Sequence, residues 1–190
     1  EHGIPLRAWL FANIASLYNL AQPFSFLFNG LMDGPGRWVK TWLGIHPARQ
    51  FPHLAAQTFT TWYRSQQELK HTSVPKKQVV FFHDTFMEHN EPQIGKAAVK
   101  VLEVAGYQPI ILEHKKDSGR PAVSKGLLDT ASKLAKHNIE LLAPYAKGGI
   151  PIVGCEPSVM AMLVDEYPDL VPGEKTNLIR ANALMIEAFI

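Results

Sequence analysis

Gly149–Ser158, GIPIVGCEPS, is the segment from which the architecture is read. Ile150, Ile152 and Val153 make a short apolar, β-branched run, the composition of a central strand covered on both faces. Gly154 lets the backbone turn sharply as it leaves that strand. Pro157 suits the first turn of a helix, with Glu156 and Ser158 beside its positive end. A strand that feeds a helix in this way is one arm of a βαβ unit, and ligands of such sheets gather at the carboxyl ends of the strands. Cys155, the only cysteine in the chain, stands at that point.

Upstream the same grammar occurs twice more. QVVFFH, Gln78 to His83, reads as a first strand. A helix over Glu91 to Ala105 follows, with Pro92 at its start, Gly106 past its end, and Ile94, Ala97, Ala98, Val101, Leu102 and Ala105 on its inner face. Gln108 to Leu112 is a second strand, and Ser124 to Leu142 a long helix with an apolar stripe. Ile150 to Val153 is the third strand, followed by a helix over Ser158 to Glu166. Tyr167, Pro168 and Pro172 interrupt the chain, and a last helix runs from Lys175 to the end. The expected fold is α/β: a three-stranded parallel βαβαβ, half of a doubly wound sheet.

Residues 1–74 read as a helical, tryptophan-rich segment preceding an α/β module over 75–190. Leu6, Leu10, Ile14, Leu17 and Leu20 recur at helical spacing across residues 5–21, and Pro23 ends or kinks that helix. Phe24 to Leu31 is apolar without a clean period, Asp33 to Arg37 is a turn, and short helices follow at 38–43 and 58–67. Lys70 to Lys77, with Pro75, is a linker. All four tryptophans, Trp9, Trp38, Trp42 and Trp62, lie in this third. Packing into a core is the favoured role for them, and docking onto another domain the alternative.

Composition narrows the function. A chain of 190 residues that is 46% hydrophobic and 19% charged is globular, and a net charge of +2 gives no electrostatic footprint for nucleic acid. One cysteine excludes a disulfide framework and cannot by itself hold a zinc ion or an iron–sulfur cluster. Glu1 in place of Met suggests a fragment or processed product, and no secretory leader is visible. No charge falls between Arg7 and Asp33, but Asn13, Ser16, Asn19, Gln22, Ser25 and Asn29 are scattered through the stretch. So many polar side chains argue against a transmembrane segment.

Ionisable residues collect at the strand ends. The first strand leads into His83, Asp84, Thr85, Glu88 and His89; the second into Glu113, His114 and the loop Lys115 to Pro121; the third into Cys155, Glu156 and Ser158. His83, Asp84, His114, Cys155 and Glu156 are candidate metal ligands, with His89 nearby, although no diagnostic spacing such as HExxH occurs. Cys155 paired with His83 or His114 would make a nucleophile, but a buried structural cysteine is the expected state. No glycine-rich phosphate loop follows the first strand. In DSGRP, Gly119 is expected at positive φ and Pro121 before the next helix. His2, His46, His53, His71 and His137 are expected to be solvated.

The run VVFFHDTFMEHNEPQIGKAAVKVLEVAGYQPIILE, followed by SGRPAVSKGLLDTASKLAKHNIELLAPYAKGGIPIVGCEPSVMAMLVDEYPDLVPG, resembles the cysteine-rich "CCG" domain of iron–sulfur oxidoreductases. That domain occurs in heterodisulfide reductase, glycolate oxidase and anaerobic glycerol-3-phosphate dehydrogenase subunits. It also occurs in large fusions of an FAD-linked oxidase, a ferredoxin-like segment and cysteine-rich modules. The resemblance implies a parent oxidoreductase that holds FAD and iron–sulfur clusters and oxidises a 2-hydroxy acid such as lactate or glycolate. It further implies flavin, ferredoxin-like and second cysteine-rich domains as partners on the same polypeptide, and a location in the cytoplasm or at the inner membrane face. The family's cysteines correspond here to Thr85, to Asp117 and Ser118 before Gly119, and to Glu156 and Val159. None is a thiolate, so the resemblance implies no catalytic residue and no cofactor in this stretch. The alternative is a small α/β module that binds a metabolite or a metal at the strand edge.

Overall fold

Four parallel strands, one more than expected, make the sheet in the computed structural model, which describes residues 3–34, 36–42, 44–46, 48–69 and 77–190. They are β1 (Lys77–Phe81), β2 (Tyr107–Ile110), β3 (Ile152–Gly154) and β4 (Ala183–Met185), in the order β2-β1-β3-β4. Of the linker expected over 70–77, residues 70–76 lie outside the described residues and Lys77 is instead the first residue of β1. The final helix is corrected: it stops at Asn182, and Ala183, Leu184 and Met185 pair with Ile152, Val153 and Gly154. ALM is helix-favouring on its own. Its strand state is imposed by the backbone groups of β3, which need partners on that side.

Alternation along the strands divides the interior into two layers. Val79, Phe81 and Val153 face one side, where they pack on Phe59, Tyr63, Met87, Ala98, Val99 and Leu102. Val80, Phe82 and Ile152 face the other, against Ala135, Ile139 and Leu142, Met162 and Leu163, Tyr167 and Ile179. Where a strand is buried on both faces it must be apolar, which is why Val79–Phe81 of β1 and the whole of β3 are legible as apolar runs, while Lys77 and Gln78 at the start of β1 are exposed.

In chain order the helices are α1 (Leu6–Ala12), α2 (Ile14–Ala21), α3 (Ser25–Asp33), α4 (Gly36–Trp42) and α5 (Phe59–Leu69) before the sheet. Within it come α6 (Thr85–His89), α7 (Pro92–Val104), α8 (Arg120–Val123), α9 (Leu128–Lys147), α10 (Pro157–Ala161), α11 (Tyr167–Leu170), α12 (Glu174–Asn182) and α13 (Ile186–Phe189). Met162–Glu166 is a π-helical turn joining α10 to α11.

The single helix expected over 5–21 is two, broken at Asn13, whose side-chain amide donates to Trp9 O at 2.8 Å. Their buried residues are Ala12 and Tyr18, whereas Leu6 and Leu20 are exposed. The leucine stripe is therefore only partly covered: Leu10, Ile14 and Leu17 are half-buried, and its two ends face solvent. In α7 Ala98 and Leu102 are buried as expected, but the face is rotated around them: Ile94 and Val101 are exposed, and Gly95 and Val99 are buried. Gly95 sits against the fully buried Phe59 ring of α5, where an added Cβ would stand 2.5 Å from Phe59 Cδ2. Close approach of α5 to α7 thus requires glycine at this point.

The tryptophans also depart from the packing expectation. Trp38 is 86% exposed, Trp42 75% and Trp9 47%; only Trp62 packs partly against the β1 layer. The polar residues scattered through α1–α3 have specific work instead. Asn29 exchanges hydrogen bonds with the Leu54 backbone at 2.8 and 2.9 Å. Gln22 donates to Ala55 O at 2.7 Å and contacts His89 Nδ1 at 2.9 Å, which fastens the N-terminal helices to α6. No helix among the described residues is long and apolar enough to cross a membrane.

Candidate functional site

Between the carboxyl ends of β1 and β2 and the overlying helices α1 and α2 lies a cavity of about 520 Å³. Asn13, Ser16 and Asn19 form its roof, and His83, Thr85, Glu88, His89, Lys115 and Asp117 its floor. The floor is ordered by the way β1 ends. Asp84 leaves the strand in extended conformation and caps α6, its Oδ1 accepting from Phe86 N at 2.7 Å and Met87 N at 2.9 Å. That cap fixes the first turn and brings Glu88, one turn on, back toward His83.

His83 is 3% exposed, and its Nε2 lies 3.2 Å from Glu88 Oε2. The same carboxylate accepts from Thr60 Oγ1 at 2.5 Å and Thr60 N at 3.1 Å. Burial, assisted by the positive charge of Lys115, pushes the His83 pKa down to about 4. At neutral pH the imidazole is therefore uncharged and its contact with Glu88 is a hydrogen bond, not an ion pair. Burial works against ionisation of Glu88, but donation from His83 and Thr60 prevails and holds its pKa down at about 2. With Nε2–H turned to the carboxylate, His83 Nδ1 is a bare acceptor, buried and without a partner among the described residues.

Lys115 closes the far side, its Nζ 5.2 Å from the centre of the Phe82 ring. Burial lowers its pKa, opposed by the charges of Asp117, Glu88 and Asp84. The loop that presents Lys115 and Asp117 is clamped by Asn138 of α9, which is fully buried. Its Oδ1 accepts from Lys116 N at 2.8 Å, and its amide donates to Asp117 O and to Tyr167 Oη, each at 3.0 Å.

The positions at which the resemblance places cysteines now have a geometry. Thr85 and Asp117 are brought together, Thr85 Oγ1 donating to Asp117 Oδ2 at 2.6 Å. Asp117 Oδ1 accepts from the N–H of Gly119, which has the expected positive φ of 90° and precedes Pro121 in the first turn of α8. Ser118 is buried, and its Oγ accepts from Arg120 N at 3.3 Å. Glu156 caps α10, accepting from Ser158 N and Oγ at 3.2 and 2.8 Å. Val159 is buried in the core beneath that helix and offers no ligand atom. Their polar groups are spent on one another and on backbone, and they do not fit a thiolate-held cluster.

The candidate metal ligands are not drawn together either. Asp84 and Glu156 cap different helices, His114 is exposed, and among the described residues no three His, Cys, Asp or Glu side chains form a metal-holding group. Cys155 packs against the β1 layer, and burial, reinforced by the negative charges of Asp84 and Glu187, pushes its thiol up to about 11. Glu113 is exposed and paired with Arg64 at 3.1 Å. His46 and His53 are exposed as expected, whereas His137 is half-buried, its Nε2 2.7 Å from His114 O at the cavity lining; His2 and His71 are outside the described residues.

Three participants carry little or no signal in the sequence. Thr60 lies 28 residues upstream of the carboxylate it serves, outside the βαβ pattern. Lys115 reads as one charge in a polar loop. Asn138 does leave a trace: it shares the helical register of Ala131, Ala135 and Leu142, an amide on a core-facing stripe.

The chain is similar to parts of larger dehydrogenases. It is 36% identical over 171 residues to one subunit of the anaerobic glycerol-3-phosphate dehydrogenase of Escherichia coli, spanning 87% of this chain and 42% of that one. It is 30% identical over 173 residues to D-2-hydroxyglutarate dehydrogenase of Haemophilus influenzae, covering 87% of this chain and 17% of the relative. The Escherichia coli D-2-hydroxyglutarate dehydrogenase matches at 30% over 115 residues, 59% of this chain and 11% of its own length. The chain thus spans less than half of the curated relatives it matches. No protein-family model and no solved structure matches it.

Proposed function

We propose that the chain is a cluster-less module of a larger FAD-linked, iron–sulfur oxidoreductase that acts on a 2-hydroxy acid of the lactate or glycolate type. In this reading residues 75–190 are a CCG-type module whose cysteines have been replaced, and residues 1–74 carry it against the rest of the polypeptide. The observation that carries the proposal is the fate of the ligand positions: Thr85 and Asp117 still meet at the strand edge, but as a hydrogen-bonded pair. The relatives' names support a dehydrogenase, and that of the D-2-hydroxyglutarate dehydrogenase supports a 2-hydroxy acid, whereas glycerol-3-phosphate is a phosphorylated alcohol. FAD and any clusters would belong to other domains, and this module would provide a wall against which an electron-carrying domain docks. The exposed Trp38 and Trp42 of α4, with Phe26 and Leu27 of α3, supply an apolar surface for such a partner.

The test is to purify the chain without air, assay it with a 2-hydroxy acid and an artificial electron acceptor, and then assay the complete natural polypeptide. Turnover is expected only for the complete polypeptide. Turnover by the chain alone would sink the proposal.

A second reading, a binding module for a small metabolite, is favoured by the 520 Å³ cavity, whose lining includes the polar side chains of Asn13, Thr85, Glu88, Lys115 and Asp117. Such a lining suits a small hydroxylated or charged ligand. Calorimetry with small hydroxylated metabolites separates this reading from an inert scaffold.

A further inference from the structure

A second cleft, distinct from the His83 cavity, opens on the other side of α1 and α2. Its volume is about 630 Å³, within the range of small-molecule sites. Phe11 and Phe86 form part of an apolar floor, while Arg7, Arg49, Arg120 and Lys125 stand around it. None of its lining residues is Asp or Glu. In a chain whose net charge is only +2, four cations around one cleft are a marked local concentration.

These cations are not spent on neighbours. Among the described residues no carboxylate lies within ion-pair distance of any of the four. Arg7 donates to a neutral carbonyl, Gly44 O, at 3.2 Å, and Lys125 Nζ lies 5.5 Å from the centre of the Phe11 ring. Both are held at the cleft with their charge uncompensated.

The position is independently informative. The crossovers from β1 lead to β2 on one side and from β2 back to β3 on the other, so the switch point of the sheet lies between β1 and β3. Phe86, just after β1, and Ser158, just after β3, both line this cleft. Ligands of open parallel sheets bind at that crevice.

We infer that this cleft binds a small amphipathic anion: a flat or short-chain apolar body carrying a phosphate, sulfonate or carboxylate. The apolar body lies on Phe11 and Phe86, and the anionic group meets Arg120 and Lys125. An anion without a body gains nothing from the floor, and a neutral body gains nothing from the rim.

The experiment titrates the whole chain with three probes: anilinonaphthalene sulfonate, its neutral analogue phenylnaphthylamine, and inorganic phosphate. The sulfonate is expected to bind at one saturable site. Arg120→Glu and Lys125→Glu should each weaken it at least about tenfold, since turning one contact-range attraction into a repulsion is worth more than that even at the dielectric of water. Lys100→Glu, on the exposed face of α7, should leave it unchanged, and binding of the neutral analogue should not respond to any of the three. Circular dichroism confirms that each variant is folded. Equal affinity for the sulfonate and the neutral analogue would overturn the inference. So would displacement of the sulfonate by an equimolar amount of phosphate, or an Arg120→Glu effect no larger than that of Lys100→Glu.

Discussion

Acid should unfold this protein through His83, and the loss can be worked from its environment. The imidazole is sealed beneath the sheet edge and its pKa is pushed down to about 4 from an ordinary 6.5. The unfolded chain therefore takes up a proton at His83 that the folded chain refuses, and stability falls as the pH drops from 6.5 toward 4. Shifts of this size cost about 1.4 kcal/mol per pKa unit, so the full loss is about 3 kcal/mol, of which roughly 2 kcal/mol appears between pH 7 and pH 5. Glu88, held at about 2, adds its own loss only below pH 4.5, as the unfolded carboxylate begins to bind protons first. His83→Gln keeps an N–H for Glu88 without a titrating group. Urea unfolding of both proteins at pH 7 and pH 5, followed by circular dichroism, isolates His83 together with its coupling to Glu88 and His89, because the groups remote from it cancel in the double difference. The variant should lose roughly 2 kcal/mol less than the parent over that interval. An equal loss in the two proteins would refute the assignment of a neutral, buried His83.

Other perturbations have equally specific outcomes. Gly95→Ala should destabilise by about 1–2 kcal/mol in urea unfolding, because overpacking on Phe59 outweighs the better helix propensity of alanine; a stabilised variant would mean that α5 yields freely. Asn138→Ala should cost about 2–4 kcal/mol by stranding the loop and Tyr167 groups it serves, and a loss at the level of an ordinary surface substitution would remove its role as a clamp. Cys155, with its thiol raised to about 11, should react with iodoacetamide near neutral pH about 100-fold more slowly than a free thiol. A rate equal to that of free cysteine would restore it as a reactive group.

The sheet is readable where a physical constraint leaves a local mark. Val79–Phe81 of β1 and Ile152–Gly154 of β3 are buried, so those positions are apolar, and Gly154 and Pro157 mark the exit of β3. β4 leaves no such mark, since Ala183–Met185 is a strand only because β3 lies beside it. Helix faces escape the sequence for a related reason. Leu6 and Leu20 at the ends of the α1–α2 stripe are exposed and Leu10 and Leu17 only half-buried, while small Ala12 and long Tyr18 fill the space over the module. At the site, His83, Thr85 and Asp117 are legible as residues of converging strand ends, and Thr85 and Asp117 do meet there. The link from Glu88 to Thr60 is not legible, because that hydrogen bond depends on how α5 docks, and neither is the placing of Lys115 over Phe82. Cys155, conspicuous in the sequence as the lone thiol, lies beside the ligand positions and is held protonated.

The most direct measurement is the iron and acid-labile sulfide content of the chain after anaerobic reconstitution with both, read together with its visible absorption. If the ligand positions have been given over to hydrogen bonds, the reconstituted chain holds neither element above the level of a protein blank and stays colourless. Stoichiometric iron and sulfide with thiolate-to-iron absorption bands would contradict the reading of Thr85, Asp117, Ser118, Glu156 and Val159 as a dismantled cluster site.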